Sequence, residues 1–318
     1  MRSVIASLVV VAACSSSNHG VAAIDGPPQQ QPDAIASSDG ARDAAGSAVD
    51  PAEPGPYAVT MHDAQIPGSA AGRTVPATIF VPTGAPSPHA LVVVSPGFQM
   101  QRTQYVSYAQ HLASWGFVVV ACDYADTGFF ADHQKLADDV SSVIDYALAQ
   151  QDLAIDPAKI ATAGHSLGGD ISTLAAADDA RVTAVVGWDP VDASNPSVVP
   201  EKMAMVHAAV AVVGETTDSS GGGMPCAPAA DNFEQFYAAS ASPALQLTLA
   251  GADHMDWVDD PSCAFCTLCT AGTADASLAH TTTRRLNVAW LRHVFYGDAA
   301  MTPWLDAPPE AGTSVARK

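Results

Sequence analysis

The sequence predicts an α/β fold in which a mostly parallel central sheet carries helices on both faces. Six apolar runs of strand length recur along the chain, and most of them lack an alternation of polar and apolar residues. Strands of this kind are buried on both faces. Between them lie segments whose apolar residues recur every three or four positions, which is the spacing of one helix face. Alternating strands and helices are typical of a sheet covered on both sides.

The elements follow in a regular order. Residues 57–66 and 74–81 predict a leading antiparallel pair. The six apolar strands are then predicted at residues 91–95, 116–122, 160–164, 182–188, 208–213 and 244–249. The apolar face of one predicted helix consists of Leu136, Val140, Val143, Ile144, Ala147 and Leu148. A last helix is marked by Leu286, Trp290 and Val294 at the same spacing.

Composition excludes several classes of protein. The 318 residues include 13 Lys plus Arg against 33 Asp plus Glu, which gives a net charge of −20. A nucleic-acid binder needs a basic surface to neutralise phosphates, so no nucleic-acid partner is expected. At 48% hydrophobic residues the chain is too apolar to be disordered throughout, and its 23 Gly and 23 Pro exclude a coiled coil. Its apolar runs are shorter than the roughly 18 to 20 residues of a membrane span.

The first fourteen residues predict an export signal. A short positive start, Met1 to Ser3, is followed by an apolar stretch from Val4 to Ala13, which is too short to span a membrane. The stretch ends in Val-Ala-Ala-Cys14, which resembles the lipobox of bacterial lipoproteins, where the cysteine receives the lipid. This predicts a lipid-anchored protein of the bacterial cell envelope, with membrane contact only through that anchor. The alternative is an ordinary cleaved signal and a soluble secreted or periplasmic protein.

Residues 15–56 predict a disordered tether. The segment is rich in Ser, Pro, Gln and Ala, has no aromatic residue, and carries six acidic residues against one base. Such a composition cannot bury enough apolar surface to offset the entropy lost on ordering. Residues 57–318 remain, and a chain of that length can bury a full core as one catalytic domain.

The motif that carries chemistry is GHSLGG at residues 164–169. It follows a predicted strand and opens a predicted helix, which is the context required of a G-x-S-x-G nucleophile elbow. Glycines flank the serine because larger side chains would collide in so tight a turn. The helix N-terminus behind the serine stabilises developing negative charge. Ser166 is therefore the predicted nucleophile.

A serine hydroxyl needs a base to remove its proton. Of the ten histidines, His254 lies directly after the predicted strand 244–249, late in the chain, where the base of such a site is expected. An acid must orient that imidazole. Asp189 ends one strand, Glu215 and Asp218 follow the next, and Asp192 is a fourth candidate. The residues alone leave Asp189 and Asp218 nearly tied.

Two backbone amides are needed to bind the oxyanion of an acyl-transfer reaction. One is expected from Leu167, directly after the nucleophile. The other is expected from Phe98, in the turn that follows the strand 91–95, because Pro96 has no N–H to give.

From about residue 57 onward the chain resembles α/β-hydrolases, and within them chlorophyllases, platelet-activating-factor acetylhydrolases and polyester-degrading cutinase-like enzymes. The resemblance rests on SPGF at 95–98, the elbow at 164–169, DPVD at 189–192, MPCAP at 224–228 and HMDWVDD at 254–260. In chlorophyllase-like and acetylhydrolase-like members the acid directly follows the strand after the elbow, which implies Asp189. Polyester hydrolases take it one strand later, which would match Asp218.

The chain also departs from these groups. Plant chlorophyllases commonly carry Arg where this chain has Leu167, and this speaks against chlorophyll itself as the substrate. Polyester hydrolases tend to have Tyr in place of Phe98 and Met in place of Leu167.

Four cysteines, Cys226, Cys263, Cys266 and Cys269, are candidates for disulfides. Closely spaced cysteines also occur in metal sites, but an exported chain favours disulfides, and four cysteines allow three pairings. No metal is expected. Cys122 ends an apolar strand and is expected to be a buried thiol. Residues 257–279 would then form a stapled loop near His254 that caps the pocket.

Together these observations predict an exported serine esterase that cleaves carboxylic esters, small or lipid-like, without a cofactor. Phe98, Trp188, Met255 and Trp257 are expected to line an apolar pocket. One alternative is an acyltransferase that uses the same three residues. Another is a catalytically silent envelope lipoprotein that uses the fold for binding, since fold does not imply function. The residues specify no oligomeric state.

Overall fold

The computed structural model describes residues 49–192, 195–218, 225–262 and 266–318. The predicted signal with Cys14, and the tether as far as residue 48, lie outside the described residues.

One nine-stranded sheet organises these residues, in the order β1-β2-β4-β3-β5-β6-β7-β8-β9. The strands are β1 (Ala58–Pro67), β2 (Thr74–Thr83), β3 (His89–Ser95), β4 (Val118–Cys122), β5 (Ile155–His165), β6 (Val182–Trp188), β7 (Ala209–Glu215), β8 (Ala244–Leu249) and β9 (Thr313–Arg317). The six strands from β3 to β8 pair in parallel, whereas β1, β2 and β9 pair antiparallel at the two ends. The mostly parallel sheet predicted from the unalternated apolar runs is confirmed.

Helices cover both faces, as predicted. They are α1 (Val106–Ser114), α2 (His133–Ala149), α3 (Leu167–Asp178), α4 (Phe233–Ala239), α5 (Ser277–Tyr296) and α6 (Thr302–Asp306). The apolar sides of α1, α5 and α6 pack in one buried cluster, and those of α2, α3 and α4 pack in a second cluster across the sheet. Strands β3, β4, β5, β6 and β7 contribute to both clusters, which explains why their sequences do not alternate, whereas Leu245, Leu247 and Leu249 of β8 lie in the first cluster.

Strand β9 is not predicted from the sequence. Its residues are partly exposed or exposed and mostly polar, so no apolar pattern marks it. It adds to the sheet by pairing with β8, from Leu245 opposite Arg317 to Leu249 opposite Thr313.

The predicted boundary of the tether at residue 56 lies too late. Residues 49–56 pack against the domain: the Glu53 carbonyl accepts hydrogen bonds from the Trp115 indole and the His111 ring, each at 2.9 Å. Asp50 pairs with the buried guanidinium of Arg285 on α5, which also pairs with Glu310. The segment is ordered by polar contacts to distant residues, and its composition gives no sign of them.

Within the described ranges, no helix combines the length and the apolar character that a bilayer crossing requires.

Candidate active site

The carboxyl ends of four parallel strands meet at one edge of the sheet, where open α/β folds place their ligands. Ser166 follows β5, Asp189 follows β6, Glu215 ends β7, and His254 lies five residues after β8. These four side chains were separate candidates in the sequence, and the parallel register of the strands brings them to the same edge.

Ser166 lies in a sharp turn between β5 and α3. Its backbone has φ 55° and ψ −121°, a conformation that costs a non-glycine residue of order 1–3 kcal/mol and persists only where the surroundings enforce it. Here the close packing of neighbouring backbone segments holds Ser166 in this conformation. A methyl group on Gly168 would lie 2.1 Å from the Ser95 carbonyl oxygen, and one on Gly164 would lie 2.5 Å from the same atom. The glycines of the motif are therefore required by the space around the turn.

His254 opens a short 3-10 turn, His254–Trp257, whose N-terminal end is capped by two reciprocal hydrogen bonds. The Asp253 side chain accepts from the Met255 amide, and the Asp256 side chain accepts from the Asp253 amide in return. The turn is thereby rigid, and it buries the His254 ring while leaving its Nε2 2.9 Å from Ser166 Oγ.

Asp189 completes the arrangement. One of its carboxylate oxygens lies 2.6 Å from His254 Nδ1, and the other accepts the Glu215 amide at 3.4 Å. A carboxylate can only accept, so Nδ1 carries the proton and Nε2 is left to accept the Ser166 hydroxyl. The Asp189 backbone has φ 42° and donates its amide to the Val213 carbonyl at 2.6 Å. A neighbouring strand thus holds the acid in a left-handed conformation.

Burial dominates the electrostatics behind the acid. It raises the pKa of Asp189, while the hydrogen bond from His254 opposes that rise. Burial and the charge of Asp189 raise the pKa of Glu215 to about 8. The two buried carboxyl groups thus disfavour each other's ionisation, and the hydrogen bond from His254 favours the negative charge on Asp189, facing the imidazole.

The other candidate acids have different partners. Asp218 is buried, with one oxygen 2.9 Å from the Cys226 amide, and its own amide donates to Glu215. Asp192 accepts from the Val198 amide at 2.7 Å and from Ser197 Oγ at 2.6 Å, so it stabilises a turn. Asp189 is the candidate that contacts His254, as the resemblance implied. That it acts as the catalytic acid stays a prediction.

The amides expected to bind an oxyanion come from two separate segments of the chain. Leu167 is the first residue of α3, where backbone N–H groups have no partner within the helix. Phe98 lies in the loop after β3, which the Tyr124 hydroxyl anchors by donating to the Pro96 carbonyl at 2.7 Å. Their role as an oxyanion hole remains a prediction.

A cavity of about 320 Å³ opens over Ser166. Its lining residues are Gly97, Phe98, Met100, His165, Ser166, Pro225, Cys226, His254, Met255, Leu268 and Cys269. Phe98 and Met255 therefore line it, as expected.

Trp188 and Trp257 do not line the cavity, contrary to expectation. Both are fully buried, and each indole N–H has a partner in the core: Trp188 donates to Asn287 and Trp257 donates to Thr283. Met100 and Pro225 line the cavity in their place. No spacing in the sequence relates these two residues to Ser166.

The cysteines close one side of the cavity. A disulfide joins Cys226 to Cys269, and Cys266 is disulfide-bonded as well. Cys263 lies outside the described residues. The Cys226 and Cys269 sulfurs lie near Asp218, but their bond leaves no thiolate to hold a metal ion. Cys122 is a buried free thiol, and burial raises its pKa to about 12.

The chain is similar to known chlorophyllases. A family model described as chlorophyllase matches residues 48–311. Chlorophyllase-1 of Arabidopsis thaliana is 27% identical over 256 residues, an alignment that covers 71% of this chain and 78% of that protein. The matched range includes every strand of the sheet except the last, and it includes the serine, the acid and the histidine described above.

Proposed function

Because the chain belongs to the chlorophyllase family of α/β-hydrolases, we propose that it is a serine esterase that cleaves carboxylic esters through an acyl-enzyme. The observation that carries this proposal is the unbroken hydrogen-bonded series from Asp189 through His254 to Ser166, at 2.6 and 2.9 Å. These are contact distances for a nucleophile and its base.

In the first half of the reaction, Ser166 Oγ attacks the ester carbonyl carbon while His254 Nε2 takes the hydroxyl proton. Asp189 holds the imidazole in the required tautomer and stabilises its charged form. The carbonyl oxygen becomes an oxyanion that the amides of Phe98 and Leu167 stabilise. When the bond to the alcohol breaks, His254 delivers its proton to the departing oxygen.

Water completes the cycle. It loses a proton to His254 Nε2 and adds to the acyl carbon, and collapse of the second oxyanion releases the carboxylic acid and returns the proton to Ser166. No step requires a cofactor. The cavity lining, with Phe98, Met100, Met255 and Leu268, favours an ester with an apolar portion.

The natural ester is proposed to be small or lipid-like and different from chlorophyll. Leu167 stands where plant chlorophyllases commonly carry Arg, and it lies next to the nucleophile, so this neighbourhood of the pocket differs from theirs. We also propose that the protein is exported and anchored through a lipid on Cys14, on the strength of the signal-like residues 1–14.

The test uses p-nitrophenyl esters of increasing acyl length. Wild type is expected to hydrolyse them and to react at Ser166 with a fluorophosphonate probe. Ser166→Ala is expected to lower kcat by at least about 10⁴-fold. Ser142→Ala, on the surface helix α2, serves as the matched control and should retain full activity. Equal rates for wild type and Ser166→Ala would overturn the proposal and favour a catalytically silent binding protein.

A further inference from the structure

A second series of hydrogen bonds runs behind the reacting residues. The Gly97 amide lies 3.2 Å from the Tyr105 hydroxyl, that hydroxyl lies 2.9 Å from His165 Nδ1, and His165 Nε2 lies 2.8 Å from the His254 carbonyl. Tyr105 and His165 are both buried. We refer to Gly97, Tyr105, His165 and the His254 carbonyl as the backing series.

The direction of every bond in the backing series is fixed. The His254 carbonyl can only accept, so His165 Nε2 must carry a proton and donate it. Burial lowers the pKa of His165 well below 6.5, so the ring is neutral and its Nδ1 is an acceptor. The Tyr105 hydroxyl therefore donates to Nδ1, and its oxygen accepts the Gly97 N–H. Each donor and each acceptor has one partner, and the series has one proton arrangement.

These bonds join the three segments that carry the expected oxyanion loop, the nucleophile and the proposed base, which must be correctly placed relative to one another for the proposed reaction. Gly97 precedes Phe98 in the loop expected to bind the oxyanion, His165 precedes the nucleophile, and the last bond is to the backbone of the proposed base. We propose that His165, oriented by Tyr105, is a positioning residue that holds the backbone of His254 and the Phe98 loop in place around Ser166. This inference rests on the proposed esterase function.

A second link connects the same parts of the chain. The Asp259 carboxylate, at the far end of the His254 turn, accepts both the amide and the hydroxyl of Ser107. The Asp259 amide donates to the Gln104 carbonyl at 2.9 Å. The turn that carries the base is thus bonded to the segment 104–107 at two places. One is Asp259, beyond the end of the turn, and the other is the backing series, which reaches His254 itself.

The absence of a side chain at Gly97 leaves room for the side chains of the backing series. A methyl group on Gly97 would lie 3.1 Å from His165 Nδ1 and 3.1 Å from the Tyr105 hydroxyl, closer than nearly all such contacts in proteins. Gly97 does not have a positive φ, so its backbone conformation is open to alanine. The absence of a side chain at this position therefore serves the two neighbouring polar groups.

The first test is Tyr105→Phe, which removes one oxygen atom and keeps the ring in the core. It is expected to lower kcat about tenfold and to leave KM within threefold, because the change affects the transition state and not ground-state binding. Affinity for an alkyl boronic acid, which forms a tetrahedral adduct on serine, should fall by the same factor as kcat/KM. A loss of folded protein alone would not produce that parallel, since kcat is measured per active site titrated with the fluorophosphonate.

The second test compares two replacements of the histidine. His165→Met fills the volume without a donor, and it is expected to lower kcat at least about thirtyfold. His165→Gln retains an N–H near the position of Nε2 and is expected to recover kcat to within fivefold of wild type. Melting temperatures of both variants are measured, and the comparison is made well below the lower one.

The third test is Gly97→Ala, expected to lower kcat about tenfold by displacing the two polar groups. Gly128→Ala is the matched control, because its methyl group would meet only the exposed Asp126 side chain. The control should leave kcat unchanged.

The outcomes separate this inference from the proposed function. A wild-type protein that neither hydrolyses esters nor reacts with the fluorophosphonate disproves the esterase and the positioning role with it. An active wild type whose Tyr105→Phe and His165→Met variants keep kcat within twofold disproves the positioning role alone. Equal losses in His165→Met and His165→Gln also disprove it, because the donated hydrogen bond would then have no part in the effect.

Discussion

The nucleophile and the pair that activates it are built in different ways. Ser166 owes its position to a six-residue turn, where neighbouring glycines let backbone pack on backbone. His254 and Asp189 come from sequence positions 65 residues apart, and His254 and Ser166 are separated by 88. A local sequence pattern therefore specifies the serine, whereas long-range packing specifies its partners.

The largest expected effect concerns Asp189, one of the two partners that long-range packing brings to the serine. Asp189→Asn should lower kcat on the order of 10⁴-fold, about 5 kcal/mol of transition-state stabilisation, because an amide no longer fixes the imidazole tautomer. Asn tolerates the positive φ at this position, so the fold should be retained. Esterase kinetics on p-nitrophenyl butyrate measure the change.

Asp218→Asn is the matched control for this prediction. Its carboxylate accepts from the Cys226 amide and has no bond to His254, so kcat should change by less than tenfold. If Asp218→Asn is the inactive variant and Asp189→Asn remains active, the assignment of the acid is wrong.

The next effect concerns the disulfide that lines the cavity. The Cys226–Cys269 disulfide closes a loop of 43 residues, and the chain-entropy relation gives about 4 kcal/mol for a loop of that length. Cys226→Ala with Cys269→Ala should lower the free energy of unfolding in urea by roughly that amount. Short-ester kcat should change little, because other contacts hold Ser166 and His254. A loss of activity at full folding would mean that the disulfide positions the reacting groups.

The turn that the local sequence pattern specifies is tested at Gly168. Its methyl group would lie 2.1 Å from the Ser95 carbonyl oxygen, and backbone cannot yield as a flexible side chain does. Gly168→Ala should therefore lower the free energy of unfolding by about 3 kcal/mol and lower kcat as well. Gly128→Ala should change the free energy of unfolding by less than about 0.5 kcal/mol. Equal stability of the two variants, measured by chemical denaturation, would show that the turn relaxes without cost.

The smallest effect concerns the segment that precedes the sheet. Burial lowers the pKa of His111 from 6.5 to about 4, and the ring donates to the Glu53 carbonyl. The unfolded chain takes up a proton as pH falls below 6.5, while the folded chain does not. Stability is therefore complete above that pH and declines toward pH 4. Between pH 7 and pH 5 this group should remove about 2 kcal/mol from the free energy of unfolding.

His111→Gln is the variant that checks the pH effect. It should lessen the decline in unfolding free energy between pH 7 and pH 5, although other buried histidines such as His165 keep part of it. An identical pH dependence in wild type and His111→Gln would contradict the assignment.

The contrast also explains how much the sequence could predict. Strands β3 to β7 could be predicted because burial on both faces leaves few polar residues in their apolar runs. The elbow could be predicted because only glycine fits beside the serine. Strand β9, the packed residues 49–56, and Met100 and Pro225 in the cavity lining have no comparable sequence pattern, since each is defined by contacts to distant segments. The contacts of His165 could not be predicted either, because its two partners lie 60 and 89 residues away in the sequence.

The ion pair between Asp50 and Arg285 has a mechanical consequence. Asp50 precedes the edge strand β1, and Arg285 is buried in the longest helix, which packs against the opposite half of the sheet. Tension applied through the chain ahead of residue 49 would reach this pair before it reached β1. The load would pass into α5 and the core, and the edge strand would be shielded from being peeled away from β2.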